Sequence, residues 1–235
     1  MLFTQSLDDN AQPATVDVLG VGCRPVRTIY GIGRNYAAHA RELGNAVPDE
    51  PVVFLKPVGT LIGDGARIML PWQSHDVQHE VEIVVLLNRS GRHVEPTDAM
   101  GMIAAYGVGI DVTARDLQTK ARAAGNPWTI AKGFDTFAPV SPLVPAEQIE
   151  SPQSLRFELE VNGEVRQTGC AVDMLFGFAE LIAYLSTVFT LRAGDLIFTG
   201  TPEGVARIQS GDSLVARLLG HAAELRVSAE TEASR

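Results

Sequence analysis

A chain of 235 residues that is 46% hydrophobic and 20% charged can bury a sizeable core in one compact domain, and its composition is too ordinary for a disordered or fibrous protein. Its formal net charge of -9 repels a phosphate backbone and no Lys/Arg cluster offsets it, which disfavours nucleic acid and favours a small-molecule partner. Cys23 and Cys170 form no CxxC pairing, the N-terminus lacks a basic and then apolar leader, and no apolar run is long enough to span a membrane, so a reducing cytoplasm is expected.

Residues 1–25, interrupted by Asp8, Asp9, Asn10 and Pro13, read as an arm or edge strand. Thr28 to Gly33 reads as a strand feeding a helix from Asn35 to Leu43 that Gly44 closes. Gly31 and Gly33 begin like a dinucleotide fingerprint, but Tyr36 stands where the third glycine belongs, so no nicotinamide cofactor is implied. Pro51 to Lys56, Val81 to Leu87 and Ala104 to Asp111 are further strands. Thr113 is then placed to cap a helix running to Ala124, with Asp116 at the capping-box position and Gly125 ending it.

Leu155 to Val161 alternates apolar and charged residues, and Asn162-Gly163 supplies a type I′ turn into Val165 to Thr168. An apolar helix is expected from Asp173 to Phe189, strands at Gly194 to Gly200 and Leu214 to Leu218, and a frayed tail after Ser228. Strands outnumber helices without alternating regularly with them. The fold class is therefore α+β, with a curled mixed sheet.

In His79-Glu80-Val81-Glu82 the two glutamates are two residues apart, and strand periodicity puts them on one face while His79 points to the other. His79 is thus expected to pack or to support the site rather than to be a ligand. Two carboxylates at the start of a buried strand repel each other and lose hydration, so a cation is expected beside them. Asp111, ending an apolar stretch, can complete an all-oxygen shell, and such ligands select Mg²⁺, Mn²⁺ or Ca²⁺ over zinc. Three protein ligands leave positions open on an octahedral ion, as catalysis requires. The plainer alternative is a solvated strand edge followed by a helix-capping aspartate.

Five motifs, Gly33-Arg-Asn-Tyr-Ala-Ala-His39-Ala-Arg-Glu42, His79-Glu-Val-Glu82, Asp111-Val-Thr-Ala-Arg-Asp-Leu-Gln118, Lys132-Gly-Phe-Asp and Gly200-Thr-Pro-Glu-Gly204, occur in the order found in the fumarylacetoacetate hydrolase family. The chain resembles that family from about Arg27 to Val227. It looks most like the short acylpyruvate hydrolases, fumarylpyruvate hydrolases and oxaloacetate decarboxylases, and it lacks the extra N-terminal domain of the longer fumarylacetoacetases. The resemblance implies a mixed β-roll over residues 26–228 with 229–235 as a tail, a homodimer, and Mg²⁺ or Mn²⁺ on Glu80, Glu82 and Asp111. Relatives often carry a second histidine where this chain has Gln78.

The same resemblance implies substrates that are 2-oxo or 2,4-dioxo acids. Cleaving the C3–C4 bond of a 2,4-diketo acid releases pyruvate as an enolate whose charge the ion stabilises. His39 and Glu42, three apart on a helix, form the base and its orienting acid, on a segment that closes over ligand in relatives. Lys132 neutralises a carboxylate or enolate oxygen, and Arg34, Asn35, Arg115, Gln118 and Thr201 bind substrate. The Gly200-Thr201-Pro202 turn offers backbone N–H groups and a hydroxyl to a carboxylate. Alternatives at this site are oxaloacetate decarboxylation, an isomerase or decarboxylase of 2-hydroxyhepta-2,4-diene-1,7-dioate, and a non-catalytic metal-binding protein.

Overall fold

The computed structural model describes residues 14–42 and 47–232. Its larger sheet runs, in spatial order, Val144–Pro145, Ile103–Ile110, Val81–Leu87, Leu196–Phe198, Ile29–Gly33 and Val52–Lys56. A five-stranded sheet runs Glu164–Cys170, Arg156–Val161, Ser213–Leu218, Glu224–Thr231 and Arg67–Leu70. Each contains one parallel pair, Leu196–Phe198 with Ile29–Gly33 and Glu224–Thr231 with Arg67–Leu70, among antiparallel neighbours. This is the mixed-sheet α+β architecture expected from the sequence. No helix among the described residues is long and apolar enough to cross a membrane.

Val81–Leu87 shows why its sequence is apolar at every position but Glu82. All seven residues are buried. Val81, Ile83, Val85 and Leu87 join a core shared with Phe157, Leu159, Leu214 and Leu218 of the second sheet, whereas Val84 and Leu86 pack on the opposite face with Val140, Leu143 and Phe198. Each fully buried aliphatic side chain contributes about 1.5–3 kcal/mol, and a strand covered on both sides has no face on which a polar residue is free. Glu82 shares the parity of Val84 and Leu86, so it points to that second face at the strand's opening residues.

The Asn162–Gly163 turn forms as its sequence dictates, with φ of 54° and 78°, the paired positive values of a type I′ turn. Other boundaries differ from expectation. The part of the arm within the described residues is a hairpin of Thr15–Val18 with Gly22–Pro25; residues 1–13, Gly44 and residues 233–235 lie outside them. The first helix spans Ala37–Glu42.

Thr113 does not cap the following helix. It pairs with Gln78 in a short strand, the helix runs Arg115–Ala123 from an Ala114 N-cap, and Asp116 accepts bonds from the Ser74 hydroxyl and the His75 N–H. The apolar helix starts at Phe178 rather than Asp173, because Ala171–Asp173 forms a 3₁₀ turn and Glu180 accepts the Gly177 N–H at the true start. The chain is also not frayed from Ser228 to Thr231. Ser228 to Thr231 pairs in parallel with Arg67 to Leu70, which satisfies its backbone.

Candidate metal centre and cleft

The two central antiparallel strands of the larger sheet bring the acids together. Val81 pairs with Ile110, so Glu80, just before one strand, lies opposite Asp111, just after the other, and the Asp111 N–H donates to the Glu80 carbonyl at 2.7 Å. A carboxylate oxygen from each of Glu80, Glu82 and Asp111 lies within 4.8 Å of the others, and all three residues are buried. These are not acids on a solvated edge.

Three cations face this cluster. Lys132, at the end of the short helix Thr129–Lys132, donates to Glu80 at 2.8 Å, to Thr113 Oγ1 at 2.7 Å and to Asp111 Oδ2. Lys56 donates to the other Asp111 oxygen at 2.5 Å and to the Val112 carbonyl at 3.2 Å. Arg115 pairs with the second oxygen of Glu80. Burial alone would raise the Glu80 pKa, but Lys132 and Arg115 outweigh it and hold the carboxyl well below the usual range.

Glu82 is placed differently. It accepts the Gly200 N–H at 2.7 Å and forms no ion pair among the described residues. Burial, then the charges of Asp111 and Glu80, raise its pKa well above normal. Two acids neutralised by protein cations and a third left in need of one, all hard oxygen donors within reach of a common point, fit a divalent cation of the Mg²⁺ or Mn²⁺ type.

The cluster opens on a cleft lined also by Arg34, His39, Arg115, Gln118, Lys132 and Thr201. His39 is buried, with Nδ1 3.3 Å from Glu42 Oε2, and the Glu42 carboxylate accepts the Gly204 N–H at 3.1 Å. Because an ionised Glu42 only accepts, this geometry assigns the proton to Nδ1 and leaves Nε2 as the basic nitrogen. Arg115 is held by Gln78, whose amide oxygen accepts its Nε–H at 2.9 Å while the amide nitrogen donates to Asp76. Gln118 Oε1 also accepts from Arg115, at 2.5 Å.

Asn35 does not line the cleft. Its amide donates to the Thr199 carbonyl at 2.8 Å and the Phe176 carbonyl at 3.0 Å and accepts the Phe176 N–H, so it latches backbone segments and has no N–H left to donate to a ligand. In the Gly200-Thr201-Pro202 turn the Gly200 N–H is committed to Glu82 and Pro202 has no N–H, which leaves the Thr201 N–H as the turn's backbone donor for a carboxylate. The Thr201 hydroxyl also remains: its oxygen accepts from Gln167 Nε2 at 2.9 Å, which frees its proton to donate elsewhere. His79 faces away from the acids, with Nδ1 2.9 Å from Gln167 Oε1.

Sequence reasoning missed Lys56, Gln167, Arg122, Phe54 and Trp128. Phe54 and Trp128 pack at 5.8 Å between ring centroids, and the Lys132 ammonium lies 4.8 Å from the centre of the Phe54 ring. A lysine ending a proline-bounded buried strand was the available signal for Lys56. None marked Gln167.

Residues 28–229 match the fumarylacetoacetate (FAA) hydrolase C-terminal family. A mitochondrial oxaloacetate tautomerase of Arabidopsis thaliana is 47% identical over 80% of this chain and 85% of its own length. A mitochondrial oxaloacetate decarboxylase of Dictyostelium discoideum is 40% identical over 83% of this chain and 89% of its own. The crystal structure of fumarylpyruvate hydrolase from Pseudomonas aeruginosa in complex with Mn²⁺ and pyruvate superposes with a TM-score of 0.88 at 38% identity, covering 94% of this chain and 97% of that one. The match over nearly the whole chain, together with the shared fold, establishes that this chain belongs to the fumarylacetoacetate hydrolase family.

Proposed function

We propose that the protein is a divalent-metal-dependent hydrolase that splits the C3–C4 bond of 2,4-dioxo acids such as fumarylpyruvate or acetylpyruvate, giving pyruvate and a second carboxylic acid. The observation that carries this reading is the convergence of three buried carboxylates, the Lys132 ammonium and the His39–Glu42 pair on one cleft. Glu80, Glu82 and Asp111 would hold Mg²⁺ or Mn²⁺, which supplies Lewis-acid stabilisation of negative charge developing on the 2-oxo group.

The chain's own groups do the remaining work. Arg115, Gln118 and the Thr201 hydroxyl orient the acid's polar oxygens, and Lys132 offsets charge at the inner end of the cleft. His39 Nε2 takes a proton from the water that attacks C4; the electron pair of the C3–C4 bond passes into the pyruvate enolate, which is then protonated at C3. Glu42 keeps the imidazole oriented and stabilises it once protonated. This base and acid argue against a merely metal-binding role.

The relatives favour a second reading at the same site, the chemistry of oxaloacetate. Decarboxylation breaks the C3–C4 bond with loss of carbon dioxide and forms the same pyruvate enolate; tautomerisation moves a C3 proton to the 2-oxo oxygen. Neither consumes water. An isomerase of longer dienoic diacids would draw on the same groups. We also propose a homodimer, on family grounds, and a cytoplasmic location, which the two free cysteines, Cys23 and Cys170, suit.

The test is to strip divalent ions with a chelator, add back Mg²⁺ or Mn²⁺, and follow diketone absorbance and pyruvate release from acetylpyruvate, fumarylpyruvate and oxaloacetate. Turnover should vanish with the chelator and return with the ion. Full, unaltered metal-dependent activity in Glu82→Ala would overturn the assignment.

A further inference from the structure

The second face of the larger sheet carries a cavity that the cleft chemistry does not use. The hairpin of Thr15–Val18 with Gly22–Pro25 packs Val16 and Val18 against Leu86, near the end of the Val81–Leu87 strand remote from the acids. Beside this contact lies an open, mainly apolar cavity of about 380 Å³ walled by Val18, Val21, Leu86, Ala104 and Pro145. Small-molecule pockets ordinarily measure about 300–1,000 Å³. The cavity shares no residue with the metal cleft, and at about 3.3 Å per residue Leu86 lies roughly 13 Å along its strand from Glu82.

Arg24 and Arg27 stand at the cavity's mouth with Glu147, and an adjoining hollow that shares Arg27 and Ala193 adds Arg192. Arg27 is held in place: its N–H donates to the Gly194 carbonyl at 3.0 Å and its Nε to the Ala193 carbonyl at 3.1 Å, which leaves both terminal nitrogens available. Gly194 has φ 93°, and a Cβ there would stand 2.5 Å from the Pro25 carbonyl oxygen, so only glycine lets this turn approach the hairpin so closely. Arg24 spends one terminal nitrogen on the Cys23 carbonyl.

The chain's net charge is -9, and Arg67, Arg115, Arg166, Arg217 and Arg226 all pair with carboxylates. Arg24, Arg27 and Arg192 make no ion pair among the described residues. Glu147 and the buried Asp195, which lies in the field of Arg192 and Arg27, offset two of these three charges and leave one. Arg192 is distant in the chain from the other two, so no cluster marks the place in the sequence.

We propose that this cavity is a second ligand site, for a medium-chain monocarboxylate whose tail lies on Val18, Leu86 and Ala104 and whose carboxylate meets Arg24 and Arg27. An apolar wall that ends in cations answers an apolar tail that ends in one anion. The tail gains by leaving water, and the planar carboxylate gains charge-assisted hydrogen bonds from the guanidinium groups.

Calorimetric titration of the full chain with hexanoate, octanoate and 1-octanol tests this, with Mn²⁺ present and again with chelator. Each buried CH₂ contributes about fourfold, so octanoate should bind about tenfold tighter than hexanoate. It should also bind about tenfold tighter than the uncharged alcohol. Arg24→Gln should weaken octanoate about fivefold and leave octanol unchanged. Ala193→Phe, at an exposed position shared by both hollows, should fill the mouth and remove binding, with the denaturant midpoint and acetylpyruvate turnover unchanged. Octanoate affinity that needs the metal ion, or that both variants leave intact, assigns the binding to another place and overturns the site. Absence of octanoate binding overturns it too; if Ala193→Phe then alters the mass measured by light scattering, the surface belongs to a second copy of the chain.

Discussion

Gln167 and Thr201 are joined by a buried hydrogen bond of 2.9 Å in which the amide donates to the hydroxyl oxygen, and the same side chain also donates to the Pro202 carbonyl at 3.0 Å and accepts the Val81 N–H at 3.1 Å. Val81 separates Glu80 from Glu82. One glutamine thus ties the turn that carries a cleft hydroxyl to the strand that carries two of the three acids.

Gln167→Leu is expected to leave the Val81 N–H unsatisfied in the interior, at a cost of about 1–3 kcal/mol, readable as a lower denaturant midpoint with unchanged slope. It should also raise KM, because the Thr201 hydroxyl loses the bond that directs its proton. Thr201→Val should reproduce the KM effect with a smaller stability loss, and Thr201→Ser should restore it. A stability loss with unchanged KM would limit Gln167 to a structural role.

Lys56→Met is expected to remove one of the two ammonium partners of buried Asp111, and breaking a buried pair from one side costs about 3–5 kcal/mol. Mg²⁺ bound at the acids would replace part of the lost positive charge. Denaturation with chelator and then with Mg²⁺ should show a deficit that shrinks when the ion is added; equal deficits would place Asp111 outside the ion's reach.

His39→Ala should lower diketone hydrolysis by about 10²–10⁴-fold, the usual contribution of a positioned base. Oxaloacetate decarboxylation should fall far less, since it needs no activated water. Pyruvate release from both substrates measures the two effects in one preparation. Parallel losses would assign His39 to a step the reactions share, such as proton transfer at C3.

Gly200 has φ 102°, and a Cβ there would lie 2.6 Å from Asn35 Cβ and 3.3 Å from the Ile32 carbonyl oxygen. Gly200→Ala should therefore cost about 1–3 kcal/mol of stability. It should also weaken Mn²⁺ binding in an equilibrium titration, because the Gly200 N–H that orients Glu82 must shift. Unchanged Mn²⁺ affinity would show that Glu82 does not depend on that donor.

What the sequence determined by itself was local or strongly repetitive. Strict alternation in Leu155 to Val161 and the Asn-Gly turn specify a hairpin without outside help, and the unbroken apolar run from Ile83 to Leu87 specifies a buried strand. The grouping of Glu80 with Glu82 follows from a period of two. Family motifs added Asp111, Lys132 and the His39–Glu42 pair as neighbours of that face.

Tertiary structure decided what depends on partners distant in the chain. Lys56 meets Asp111 across 55 residues and Gln167 meets Val81 across 86, and neither pairing leaves a periodic trace. Gln167 is the sharper case, because alternation alone would give Val165 and Gln167 the same face. The register shift at Leu159/Glu160 pairs Leu159 with Gln167 but Glu160 with Val165, so Val165 is exposed and Gln167 is buried. Thr113 likewise has the residue type of a helix cap, yet its hydroxyl donates to the Asp111 carbonyl and accepts from Lys132. Local propensity yields there to buried polar groups, because an unsatisfied group in the interior costs more than a missing cap.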